Sequence, residues 1–223
     1  MTTTIARPTR QASRAGWLVP VGLILLTLIP IVAGAARVTE LTGAPAITAD
    51  NARFVTSPIP VIVHIVGATL FSILGAFQFV PGLRRRNRWH RLAGRVLVPA
   101  GAAVALSGIW MAVISEHAPA DGVALSALRV IFASLMLAFI ALGVRSIIRR
   151  DFVSHGAWMT RAYALAVAAG TQAIVLIPQT IIFGKYEETS RAVFMGAAWV
   201  INLAIAELVI RRRAARRTVR SAS

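Results

Sequence analysis

Six stretches of almost unbroken apolar side chains divide this chain, each close to the length that crosses a bilayer. They are Trp17–Ala36, Ile59–Val80, Val96–Ile114, Val123–Ile148, Ala162–Phe183 and Ala192–Ile210. Hydrophobic residues make up 57% of the 223 and charged residues 14%, whereas soluble domains carry about 25% charge. A soluble fold cannot hide that much apolar surface. A helix in lipid can be apolar all round, and its backbone groups satisfy one another without water. The expected fold is therefore all-α, a polytopic membrane helix bundle of about six transmembrane helices over 17–36, 59–80, 90–114, 123–148, 155–183 and 192–210. Residues 1–16 form a basic N-terminal segment, 17–210 the transmembrane domain, and 211–223 a basic tail expected to be irregular beyond its first turn. The connection Arg37–Ser57, with Gly43 and Pro45, is expected to be irregular as well.

The formal charge of +16, from 24 basic and 8 acidic residues, first suggests nucleic acid. The arginines instead fall in short clusters between the apolar runs. One set of segments holds Arg7, Arg10 and Arg14, then Arg84, Arg85, Arg86, Arg88, Arg91 and Arg95, then Arg149 and Arg150, then Arg211 to Arg220. The alternate segments hold Glu40, Asp50, Glu116, Asp121, Glu187 and Glu188. Positive loops stay inside, so both termini are expected in the cytoplasm of a bacterial cell, with the chain in its cytoplasmic membrane. The expected partners are the bilayer itself and anionic headgroups at the arginine clusters. Nucleic acid is not expected, and a homo-oligomer or a redox partner is compatible with the pattern. The first run has a second reading: a basic start followed by Ala33-Gly34-Ala35 imitates a cleavable signal, although the run is long for one.

The chain has no cysteine, which excludes disulfides, thiolate metal sites, iron–sulfur clusters and covalently attached haem. Any cofactor must be held by His, carboxylate, Met or backbone. His64 is six residues into the second run, roughly 9 Å deep at 1.5 Å per residue. Its helical face continues through Gly67, Ala68, Phe71, Gly75 and Gln78. That stripe suits a tight helix seam bridged by a hydrogen bond, or a cofactor ligand with space beside it. Gly94, Gly101 and Gly108 recur every seven residues on the third helix, which points to close packing or a cofactor. Gln172, Gln179, Asn202 and Glu207 are the polar residues of the last two runs, and Glu207 is expected to pair with Arg211.

A faint duplication links His90 and His155. Each follows a short basic loop, opens a helix, and has an arginine five or six residues later, Arg95 and Arg161. Two neutral imidazoles at similar depth can ligate b-type haem, with Arg91, Arg95 and Arg161 available to its propionates. The plain alternative is that these residues anchor helix starts among headgroups. His64 and His117 could form an outer pair by the same logic.

The segment from His64 through Gly75-Ala76-Phe77-Gln78-Phe79 to His90-Arg91-Leu92-Ala93-Gly94-Arg95, with the later run His155-Gly156-Ala157-Trp158-Met159-Thr160-Arg161, resembles the bacterial multi-pass membrane family known as domain of unknown function 2306. The resemblance covers about Pro58 to Val209. It implies the same topology and marks His64, His90, His155, Arg95 and Arg161 as positions to test, without implying an activity. Three functions stay open: a membrane redox protein with b-type haem, a small-solute or proton carrier or channel-like protein, and a structural membrane subunit. With no nucleotide loop, nucleophile elbow or zinc-protease helix, the reading leans away from an enzyme.

Overall fold

A computed structural model of the chain describes residues 15–48, 51–80, 83, 87–115, 121–184 and 187–221. The described residues form helices and no strand. The helices are α1 (Ala15–Thr42), α2 (Ala52–Thr56), α3 (Pro58–Phe77), α4 (Asn87–Ile114), α5 (Val123–Ile148), α6 (Phe152–Phe183) and α7 (Glu188–Ser221). All but α2 are long and apolar enough to cross a membrane. The N-terminal basic cluster, Arg84 to Arg86, Glu116 and His117 lie outside the described residues.

Local chemistry sets the helix ends. Pro58 opens α3, where its missing N–H costs nothing. The Asp151 carboxylate caps α6 by accepting the Ser154 N–H at 2.9 Å. Arg150, at φ 60°, makes the sharp left-handed turn between α5 and α6, and the Asp151 N–H just beyond it donates to the Ser146 carbonyl. Gly184, at φ 90°, follows the last turn of α6.

Helices α3, α4, α5 and α6 each pack on the next, and α3 also meets α6, which closes a four-helix unit. Helix α7 lies against α6 and α5, and α1 against α3 and α6. The core of the unit is Phe71, Leu97, Phe132, Met136, Ile140 and Tyr163. The Tyr163 hydroxyl donates to the Ser72 carbonyl at 2.8 Å, joining α6 to α3. Glycines permit these approaches: a Cβ at Gly101 would meet Phe71 and Ile140, and one at Gly170 would meet the Leu26 backbone of α1. Gly94, by contrast, has nothing within 4 Å of its would-be Cβ. No span has more than 33% of its apolar window buried within the protein, so most apolar side chains face outward, as a lipid solvent requires.

Two expectations need correction. The basic tail is helical to Ser221, because its alanines and arginines are strong helix formers that extend an existing helix without a new nucleus. The connection after the first span is more regular than expected. Helix α1 runs on to Thr42, and α2 forms where the Asn51 side chain ties the loop together, accepting the Thr48 N–H and donating to Glu40 and the Ala46 carbonyl.

Candidate functional site

His64 sits in the seam between α3 and α4. Its Nδ1 is 3.0 Å from the Val104 carbonyl and 3.1 Å from the Ser107 hydroxyl. A carbonyl only accepts, so Nδ1 carries the proton and donates across the seam. One turn on, Gly67 faces the Ala100 carbonyl and Val104, and Gly108 of α4 faces the imidazole ring. Small residues let the backbones approach, and the histidine bridges them, as one of the two sequence readings had it.

His90 and His155 repeat one geometry at the opposite end of the unit. Nδ1 of His155 donates to the Gly143 carbonyl at 2.9 Å. Nδ1 of His90 meets Oε1 of Gln78. In each case the partner is 12 residues earlier, near the end of the preceding helix. The duplication seen in sequence thus has a structural counterpart: two helical hairpins, each latched by the first histidine of its second helix. The two histidines occupy α4 and α6, which stand across the unit from each other with α3 and α5 between. His64 is far along α3 from both. No cluster of three or more His, Asp or Glu residues suited to a metal ion occurs among the described residues.

The arginines assigned with the histidines differ. Arg95 is exposed and forms no ion pair among the described residues. Arg161 is held: its Nε and Nη2 contact the two carboxylate oxygens of Glu207 at 2.5 and 3.0 Å, and its guanidinium lies 4.5 Å over the Trp158 ring. Glu207 does feel the charge of Arg211, as expected, but its hydrogen-bonded ion-pair partner is Arg161. Arg161 comes from the neighbouring helix at the same depth and offers a two-pronged contact.

That ion pair is the first rung, at the end carrying His155, of a polar ladder between α6 and α7. Above it, Asn202 donates to the Thr171 hydroxyl at 2.8 Å, Gln172 to the Met195 carbonyl at 3.3 Å, and Gln179 to the Ser190 hydroxyl at 3.0 Å. Arg161 to Gln179 is 18 residues of one helix, roughly 27 Å and so nearly the hydrocarbon thickness. The individual residues were visible in sequence, but their partnership was not. The ladder and His64 occupy different seams, so they do not line one path.

At the end carrying α2, Asp121 is an unexpected hub. Its Oδ2 accepts from Arg53 Nη1 at 3.0 Å and Arg129 Nη1 at 2.8 Å, and Arg191 Nε lies 3.4 Å from Oδ1. The carboxylate side chain is 1% exposed. Burial pushes the Asp121 carboxyl up, but hydrogen bonds and charge from Arg129 and Arg53 outweigh it and hold the group below the usual carboxylate range. A second network nearby pairs Arg37 with Glu40 at 2.6 Å. Arginines in otherwise acidic segments were the sequence signal for this hub.

Apolar spans, outward-facing hydrophobic surface and polar groups gathered in helix seams and at the bundle ends together define a six-span integral membrane protein. More particularly, the chain belongs to the family described as predicted membrane protein, DUF2306, whose model matches residues 61–210. No curated protein and no solved structure matches it.

Proposed function

We propose that this chain is a membrane redox protein that binds b-type haem at the inner end of the α3–α6 unit, where His90 and His155 would hold it. The carrying observation is the matched pair of latches. Each Nδ1 is engaged by an oxygen, which orients the ring, and at His155 this leaves Nε2 with its lone pair, the form an iron takes. The donor set fits: two neutral imidazoles on opposite helices of a four-helix unit. The unit's interior is filled by Leu97, Ile140 and Tyr163, so haem entry entails their repacking. Exposed Arg95 can meet a propionate, while Arg161 is engaged by Glu207 and His64 serves the other seam. Bound haem would supply one-electron exchange. The arginine distribution supports a bacterial cytoplasmic membrane with both termini inside.

The test is an absorbance spectrum of detergent-purified protein, oxidised and dithionite-reduced, after expression with haem precursor. A Soret band with sharpened bands on reduction, lost in His90→Ala and in His155→Ala, is expected. Colourless protein that also fails to bind added haemin contradicts the reading.

The α6–α7 ladder favours a second reading, a proton or small-solute carrier. Its polar groups reach from Glu207 to Ser190. Proton flux into liposomes that Glu207→Gln abolishes would support it, and flux equal to protein-free liposomes would exclude it.

A further inference from the structure

We infer that the outer ends of α2, α5 and α7 form a binding site for a small oxyanion, a carboxylate or a phosphate, gripped by the guanidiniums of Arg53, Arg129 and Arg191 beside Asp121. Three observations converge. The first is charge: three guanidiniums surround one carboxylate, leaving the group positive. Glu188 lies over neighbouring Gly122 and reduces that surplus, but it forms no ion pair with any of the three.

The second is satisfaction of donors. Nε of Arg53 and Nε of Arg191 are buried without a hydrogen-bond acceptor among the described residues. Buried polar groups are nearly always partnered, and an unpartnered cationic donor is the costliest case. Arg191 Nε lies 3.4 Å from Asp121 Oδ1, yet the two do not align into a hydrogen bond.

The third is form. The guanidinium fork matches two oxygens of a carboxylate or phosphate, and arginines on three separate elements approach one point, as a clamp does. The three arginine side chains as wholes are partly exposed, at 22 to 27% of their surface, while Nε of Arg53 and Nε of Arg191 are covered, so a ligand from the aqueous side meets the side chains first and reaches Nε only as they shift. The oxyanion can be a free solute or a phospholipid headgroup, since the cluster stands at a membrane boundary.

The inference is independent of haem, and its test uses no absorbance. Purified protein in phosphatidylcholine nanodiscs is titrated with sodium phosphate and with sodium succinate, against sodium chloride at matched ionic strength, following thermal unfolding. Saturable stabilisation by the oxyanions, absent with chloride, is expected. Arg53→Gln and Arg191→Gln each weaken it on the order of tenfold. Asp121→Asn removes the competing negative charge and tightens it by a similar factor. In nanodiscs containing phosphatidylglycerol, unchanged phosphate affinity assigns the site to a soluble anion, and competitive loss assigns it to the headgroup. Equal response to phosphate and chloride in wild-type protein overturns the inference, as does wild-type affinity in both arginine variants.

Discussion

The two ends of the bundle handle the same residue in opposite ways. At the end carrying α2, Arg37, Arg53, Arg129 and Arg191 are each matched to a carboxylate, one on Glu40 and three on Asp121. At the other end Arg88, Arg91, Arg95, Arg145, Arg149 and Arg150 have no ion pair among the described residues. Arg161, which reaches into the α6–α7 seam, is paired with Glu207. Cations that must leave the cytoplasm, or sit partly buried beyond the membrane, need neutralising; cations that stay by an anionic leaflet do not. The expected orientation, with both termini inside, would put the unpaired arginines beside the anionic leaflet.

The comparison is broken most severely at the hub. Asp121→Asn leaves three arginines without their shared carboxylate, and the cost is about 3 kcal/mol. It is read as a fall in unfolding temperature in detergent. Phosphate should restore part of it if the cluster binds oxyanions. Acid acts on the same group. The Asp121 pKa is depressed below its ordinary value of 3.8, so its stabilisation is fully present above that value and is lost as pH falls through the lower folded value. Wild-type unfolding should lose this contribution only below about pH 4, and Asp121→Asn should lack that component.

Next in size is Glu207→Gln, which strips the charge opposite Arg161. A loss of about 1–2 kcal/mol is expected. Equal stability would mean that Arg161 reaches headgroups as its inner neighbours do. Gln172→Leu removes a single rung of the ladder and should cost about 0.6 kcal/mol, since the Met195 carbonyl keeps its place in α7. The smallest effect belongs to the unpaired end: Arg149→Gln should change stability by less than about 0.5 kcal/mol.

Much of the fold could be read from sequence because membrane spans announce themselves by length and hydropathy alone. The His64 seam was legible for a related reason: a histidine stacked on Gly67 and Gly75 along one helical face has few uses besides close packing or ligation. Partnerships were another matter. Glu207 was assigned to Arg211, one turn away on its own helix, yet depth in the bundle places Arg161 of α6 opposite it. The hub joins Arg53 to Asp121 across 68 residues of chain, and no local pattern encodes that. The helical tail was missed because charge was weighed above the helix propensity of its alanines and arginines.

The central claim, that the arginine-unpaired end faces the cytoplasm, is tested most directly by cysteine labelling, for which a chain without native cysteine is a clean background. Arg149→Cys and Glu187→Cys are exposed positions at opposite ends. In intact cells a membrane-impermeant maleimide should label Glu187→Cys and spare Arg149→Cys until the membrane is opened. Labelling of Arg149→Cys with protection of Glu187→Cys would contradict the account.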